Sequence, residues 1–198
     1  MPQIQLTQPL LQPLTKEEVK LHLRIDGNAL DSIIDSWIKG VTLMVQDRFR
    51  IQIVEAEWQF TFPFPVMGMD LPLPLVNHNS VVISYKDKDG EDQELDSSDF
   101  ELVRHRNVTK IFWSKNLSMD LSSDDPYPVK VVYSAGFPVV AEGEDSPTVS
   151  VADDIKIFLK MLIGFVHVTP EGMTDGKLNP VMDQYRGYIR PYIRRYLG

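Results

Sequence analysis

The side chains that could bind a metal ion are few and scattered in this sequence. The 198-residue chain has no cysteine, and it has four histidines: His22, His78, His105 and His167. None of the histidines stands at the spacing of a zinc-binding motif. Segment 87–96, DKDGEDQELD, has carboxylates at alternate positions like a calcium-binding loop, but Gly90 is at loop position 4 and Ser98 replaces the required glutamate at position 12. We therefore expect no metal site.

Motifs for catalysis are also missing from the sequence. It contains no nucleophile elbow, no phosphate-binding glycine loop and no dinucleotide-binding fingerprint. The adjacent carboxylates Asp124 and Asp125 precede a proline and predict a turn, whereas Asp153 and Asp154 are typical of the first turn of a helix. A hydrolase with dispersed catalytic residues stays an alternative, but we expect a protein that is not an enzyme and needs no cofactor.

The C-terminal segment is rich in residues suited to binding a partner. They are Tyr185, Arg186, Tyr188, Arg190, Tyr192, Arg194, Arg195 and Tyr196. Tyrosine and arginine are favoured at protein interfaces, and both also suit nucleic-acid backbones and bases. A third interpretation is a terminal helix that packs on its own domain with its arginines directed to solvent. The sequence alone does not decide among these three interpretations of the segment.

Negative charge is concentrated in the middle of the chain. Residues 51–150 hold 7 Lys and Arg against 17 Asp and Glu, a net charge of −10, whereas the flanks hold 13 against 11. An acidic surface is unsuited to binding nucleic acid. The N-terminus lacks a signal-peptide pattern and nothing resembles a membrane span of about 20 apolar residues, so we expect no membrane association.

Helical patterns occupy both ends of the chain. Thr15 and Glu18 form a capping-box pattern that predicts a helix from Lys16, and Asn28 is suited to cap a second helix that runs through Phe49. A third, highly apolar helix is predicted from a cap at Ser150 to its end at Thr169-Pro170, and the last segment begins with Pro180 as a first-turn residue.

The region between these helices alternates apolar and polar residues, which predicts β-strands. The predicted strands lie at 57–62, 81–85, 101–105, 110–113 and 129–133, with hairpin turns at Asp89-Gly90 and Arg106-Asn107. We therefore predict an α+β fold. Residues 1–50 and 151–198 form one helical bundle, and 51–150 form an inserted antiparallel β unit.

Segment 62–74, FPFPVMGMDLPLP, is apolar but contains four prolines, which exclude a helix or an interior strand. We predict an extended crossing in which Phe62, Phe64, Leu71 and Leu73 alternate against the β unit. Something must cover its remaining apolar side chains.

Five parts of the sequence together resemble a known family. They are LTKEEVKLHLRID (14–26), LPLP followed by SVVISYKDKDGEDQEL (80–95), VKVVYSAGFP (129–138), DIKIFLKMLIGF (154–165) and the closing tyrosine–arginine segment. In this order they resemble the head–tail connector proteins, or head-completion adaptors, of tailed bacteriophages and prophages, in the long variant with a β insertion. The resemblance spans nearly the whole chain.

The resemblance implies a structural virion protein made in the host bacterial cytoplasm and located in the virion neck. About a dozen copies would form a ring that binds the portal protein on one side and a stopper or tail-terminator protein on the other, and DNA would pass through it. The tyrosine–arginine segment would dock on the portal. The alternative is a nucleic-acid-binding regulatory protein of a phage or prophage that uses the same segment.

Two further surfaces acquire expected roles from this resemblance. Val66, Met67 and Met69, beside the flexible Gly68, would contact the adjacent subunit, where adaptable methionines suit a contact formed only on assembly. The hairpin carboxylates Asp89, Glu91 and Asp92 would line the channel and repel DNA.

Overall fold

A computed structural model describes residues 3–9, 11–105, 107–115, 117–141, 147–169 and 175–193 of the chain. These residues form two compact units. The β unit consists of residues 3–8 and Glu55–Gly136, and the helical unit consists of Pro9–Val54 and Phe137–Ile193. Each unit has its own hydrophobic core. The predicted α+β class, with terminal helices and an inserted antiparallel β unit, is confirmed.

The β unit contains two antiparallel sheets. Its strands are β1 (Gln3–Gln5), β2 (Ala56–Phe62), β3 (Met69–Asp70), β4 (Val82–Lys86), β5 (Asp92–Glu94), β6 (Phe100–His105), β7 (Val108–Trp113) and β8 (Val129–Ala135). One sheet has the order β1-β2-β8-β4-β5 and the other has the order β3-β7-β6. A one-turn 3₁₀ helix, His78–Ser80, precedes β4.

The alternating sequence pattern sets which face of each strand is buried. In β8 the side chains of Val129, Val131, Tyr133 and Ala135 are buried, and the residues between them are half-buried. In β7, Ile111 and Trp113 are buried in the same core. The strands predicted at five places therefore form where the alternation indicated, because each needs one face covered and one face exposed to water.

The helical unit contains α1 (Lys16–Leu23), α2 (Asp31–Phe49), a short hairpin of β9 (Val139–Ala141) and β10 (Pro147–Val149), then α3 (Asp153–Val168), α4 (Asp175–Gln184) and α5 (Arg186–Ile189). Its most apolar helix is α3, whose buried residues are Ile155, Phe158, Leu159, Leu162, Ile163 and Val166. As the sequence predicts, α3 ends before Thr169-Pro170.

The predicted start is correct for α1, but the starts of α2, α3 and α4 differ from those predicted. The capping box is present, since Glu18 N donates to Thr15 Oγ1 at 3.1 Å and Thr15 N donates to a Glu18 carboxylate oxygen at 2.8 Å. Asn28 does not cap α2; its side-chain oxygen instead accepts from Lys20 Nζ at 3.0 Å, and Leu30 takes the N-cap position. Ala152, not Ser150, stands at the N-cap of α3. Pro180 lies inside α4 and not in its first turn.

Glu18 also connects α1 to α3, because its other carboxylate oxygen lies 3.1 Å from Lys156 Nζ. Burial raises the pKa of Glu18, but the hydrogen bond from Thr15 N and the nearby Lys156 outweigh burial and hold the pKa below its ordinary value of 4.5. The ionised form is therefore the form that stabilises the fold. This stabilisation is complete above pH 4.5 and is lost as the pH falls through the lower pKa of the folded state.

We expect Glu18→Ala to lower the free energy of unfolding by about 1 kcal/mol at pH 7, the typical effect of a lost helix cap. Urea unfolding at pH 7 and at acid pH measures the effect, and the difference between the variant and the wild type should shrink as the pH falls below 4.5. Glu17→Ala, the exposed neighbour in the same helical turn, is the control. A difference that stays constant down to the acid limit would contradict this role.

Two boundaries differ from the predicted division at residues 50 and 150. Residues 3–8 belong to the β unit, because β1 pairs with β2 and sets Ile4 opposite Gln59. Residues from Phe137 onward belong to the helical unit, where Phe137 and Val149 pack against the helical core. The local pattern of such short strands does not show which distant element they pair with.

Candidate interaction surfaces

Among the described residues, no group of three or more His, Asp or Glu side chains is placed to hold a metal ion. Two of the histidines contact other side chains: the His167 ring lies edge-on to Trp37 at 5.4 Å, and His78 Nε2 is 3.2 Å from Thr109 Oγ1. In the described ranges, every helix is too short or too polar to cross a membrane.

A cleft beside the start of α1 brings several charged side chains together, and four of them form ion pairs. It has a volume of about 340 Å³ and includes Thr15, Glu18, Asp35 and Lys156 in its lining. Lys156 binds Glu18 at 3.1 Å, and Lys16 Nζ lies 3.4 Å from Asp35. These pairs join α1 to α3 and to α2, so the four charged groups are engaged within the helical unit.

The C-terminal segment up to Ile193 is part of the helical core. Leu178 and Met182 of α4 are buried, as are Ile189 of α5 and Ile193 beyond it. Pro191 directly follows Arg190, the C-cap residue of α5. The segment is therefore anchored by apolar packing along its described length.

Two of the tyrosines predicted to dock on the portal are directed toward this core. Tyr185 and Tyr192 are half-buried and pack against it. Tyr192 donates a hydrogen bond from its hydroxyl to Asp154 Oδ1 at 2.8 Å, and its ring meets Phe137 edge-on at 5.6 Å. Burial and this hydrogen bond to a carboxylate raise the pKa of Tyr192 to about 12. Tyr192 therefore holds the segment on the first turn of α3.

The exposed members of the segment are Arg186, Tyr188 and Arg190. Arg194, Arg195 and Tyr196 lie outside the described residues. For the described part, the structure matches the interpretation of a terminal segment that packs on its own domain with its arginines in solvent. Docking on a partner stays a prediction, and among the described residues it depends on the three exposed side chains.

The proline-rich segment 62–74 is only partly covered by the β unit. Phe62, Leu71 and Leu73 are buried as predicted, but Phe64 is 57% exposed, so the prediction for Phe64 is wrong. Leu71 N donates to Thr109 O at 2.8 Å, and Leu73 N donates to the Tyr133 hydroxyl at 3.1 Å. These bonds hold the second half of the segment against the sheets.

The predicted subunit contact at Val66, Met67 and Met69 requires one correction. Met69 is only 8% exposed, because it pairs with Ile111 in the sheet and packs in the β core, so it is not available to another subunit. Val66 and Met67 are 47% and 60% exposed. The contact itself stays a prediction, now with Phe64 as an exposed neighbour that the alternation pattern did not reveal.

The acidic hairpin between β4 and β5 is organised by Asp87, which the sequence did not single out. Asp87 Oδ1 accepts from the backbone N–H groups of Asp89 and Glu91 at 3.0 Å each, and Oδ2 accepts from Gln93 Nε2 at 2.8 Å. The Gln93 hydrogen bond, followed by the backbone ones, holds the pKa of Asp87 below its usual value. The turn at Gly90 has the positive φ of +86° expected for Asp-Gly.

The three carboxylates predicted to line a channel are exposed at this hairpin, but they are not equivalent. Asp89 and Glu91 lie at the turn. Asp92 begins β5 and binds Lys130 Nζ at 3.1 Å, which offsets its charge. Asp89 and Glu91 therefore present exposed negative charge at the tip, and the ionised Asp87 adds its own charge while its hydrogen bonds fix the turn.

Three solved structures with a similar fold come from gene transfer agent particles. No protein-family model and no curated protein matches the chain. The fold is similar to that of a chain from the neck of an empty gene transfer agent (GTA) particle computed with C6 symmetry, with a TM-score of 0.73 and 15% identity. It is also similar to a chain from the neck of a native GTA particle computed with C12 symmetry, with a TM-score of 0.70 and 16% identity. A chain from the virion of a native GTA particle gives 0.69 and 14%. Each match covers 100% of this chain and 98–99% of the other.

Proposed function

We propose that this protein is a structural component of the neck of a tailed phage or phage-like particle, in which its copies form a ring between portal and tail. One observation carries the proposal: the fold matches a chain of a particle neck over 100% of this chain and 98% of the other, with a TM-score of 0.73. A match over both units at once is more specific than a match to either unit alone, because small helical and β units each recur in many functions.

The symmetry of the similar structures supports a ring of twelve copies. Two of the particle necks were computed with C6 and C12 symmetry. Twelve copies satisfy both symmetries. In a closed ring of this kind each subunit uses two different surfaces, one for each neighbour.

We infer that the acidic hairpin faces the DNA path. Asp89 and Glu91 are exposed, and a rigid turn holds them in place. Repeated around a ring, these carboxylates would repel the phosphate backbone and let DNA pass without binding. The exposed Arg186, Tyr188 and Arg190 are the described residues that we propose for the portal contact.

Electron microscopy of the purified protein mixed with portal rings or tailless heads tests the proposal. We expect a ring of about twelve copies bound on the portal, with the hairpin at the inner rim and α5 toward the portal. A ring with the hairpin on its outside would overturn the channel assignment alone. Protein that stays monomeric with portal and heads, and that binds DNA with a marked salt dependence, would instead indicate the nucleic-acid-binding alternative.

A further inference from the structure

The loop between β2 and β3 displays three large apolar side chains that the chain itself leaves uncovered. Phe64, Val66 and Met67 are 57%, 47% and 60% exposed. They follow one another within four residues, so together they form an apolar patch, which we call the loop patch. Exposed apolar patches of this kind are typical of interaction sites.

The loop patch is held in place by contacts beneath it. Trp113 Nε1 donates to Val66 O at 2.9 Å, and Met69 N donates to the same oxygen at 3.1 Å. Gly68 has φ +69°, and a Cβ at this position would lie 3.5 Å from the Phe112 ring, so the backbone lies close to β7. Because the loop is fixed in advance, a partner loses little free energy in ordering it.

A second uncharged surface, with exposed apolar residues at both ends, lies on the outer face of the five-stranded sheet. The strand register places Ile4 opposite Gln59, Gln59 opposite Val132, and Val132 opposite Val82, in one row across four strands. Ile4 and Val82 are 55% and 44% exposed, and Leu6, two residues beyond Ile4, is 45% exposed. We call this row the sheet patch.

The charge of the β unit indicates what these patches can contact. Residues 55–136 contain 14 Asp and Glu against 7 Lys and Arg, a net charge of −7. Two copies of this unit carry the same net charge, so contact between uncharged surfaces avoids most of their mutual repulsion. Segment 61–69, TFPFPVMGM, has no charged residue, and the row from Ile4 to Val82 has none either.

We propose that the loop patch of one copy docks on the sheet patch of the next copy around the ring. The two patches are different surfaces of the same unit, so their contact is heterologous and repeats from copy to copy until the ring closes. This inference rests on the proposed ring, and it assigns the pair of surfaces that builds it. Contact between two loop patches would instead give isolated dimers.

Disulfide trapping tests the pairing directly, because the natural chain has no cysteine. Copies carrying Met67→Cys are mixed with copies carrying Val82→Cys and oxidised under conditions in which the wild type forms rings. We expect disulfide-linked dimers from the mixture and none from either variant alone. The double variant should give a ladder of linked species up to the size of the ring. Leu21→Cys, an 83% exposed position on α1, replaces Val82→Cys in the control mixture, which should stay unlinked.

A second measurement follows assembly without cysteines. Met67→Glu adds charge to the loop patch, and we expect it to raise the protein concentration needed for ring assembly by about tenfold or more, equal to about 1.4 kcal/mol. Leu21→Glu should leave assembly unchanged, and circular dichroism should show both variants folded.

The outcomes separate this inference from the proposed function. Rings that form without cross-links in the mixture, or dimers from Met67→Cys alone, would overturn the pairing and leave the neck assignment standing. A wild-type protein that forms no ring, alone or on portal-containing heads, would overturn the proposed function and the pairing with it.

Discussion

A chain truncated after Gln184 is expected to lose the folded helical unit, whereas the double variant Arg186→Ala, Arg190→Ala is expected to fold normally. The truncation removes Ile189 and Ile193, which are buried in the helical core, together with the Tyr192 ring and its bond to Asp154. Removing a buried isoleucine side chain costs about 2–5 kcal/mol, so the loss of two approaches the whole stability of a typical domain, about 5–15 kcal/mol. The arginine substitutions remove only exposed charge.

Urea unfolding followed by far-ultraviolet circular dichroism distinguishes these cases. The single variant Ile189→Ala should lower the free energy of unfolding by about 2–5 kcal/mol, and Arg190→Ala, its exposed neighbour, by less than about 0.5 kcal/mol. A truncated chain that unfolds at the wild-type urea concentration would show that the segment is not part of the core.

This expectation changes how docking on a portal has to be tested. A truncation that abolishes portal binding would be uninformative, because the helical unit would no longer be folded. The arginine double variant is the informative one, since it changes the exposed surface and keeps Ile189 and Ile193 in place. Loss of portal binding by this variant would assign the contact to the exposed arginines.

Local signals in the sequence account for most of the secondary structure. The capping box at Thr15 and Glu18 and the Asp89-Gly90 turn depend only on residues a few positions apart, and each has its predicted effect on the fold. The alternating strands form for the same reason. Weaker local signals were overridden, as at Asn28, whose oxygen is taken by Lys20 from the preceding helix.

Long-range contacts explain what the sequence did not show. The three-residue strand β1 forms because it pairs with β2, more than 50 positions away. The Tyr192 hydroxyl is held by Asp154, 38 positions away. The tyrosine and arginine content of the C-terminal segment suggested instead a free binding tail. Phe64 is exposed because β2 ends at Phe62 and the chain bends at Pro63-Phe64, and Met69 is buried because it pairs with Ile111 in the second sheet. The residue types identified the candidate surfaces, but only the fold shows which members are exposed.

Substitution of Tyr133 is expected to have a large effect on the stability of the β unit. Tyr133 is fully buried, its ring stacks on Phe60 at 5.3 Å, and its hydroxyl accepts the hydrogen bond of Leu73 N at 3.1 Å. It thus joins the centre of the five-stranded sheet to the proline-rich segment. Tyr133→Ala should lower the free energy of unfolding by about 3–5 kcal/mol, as expected for removing a buried aromatic ring.

Tyr133→Phe separates the packing of this ring from its hydrogen bond. The ring remains, but Leu73 N is left without its partner in a buried position, which should cost about 1–3 kcal/mol. Tyr127→Ala, at a 37% exposed tyrosine of the same unit, is the matched control and should change stability by less than about 0.5 kcal/mol. Urea unfolding measures all three variants. A Tyr133→Phe variant as stable as the wild type would show that the hydroxyl does not hold Leu73. The segment after the loop patch would then be fixed by its buried leucines alone.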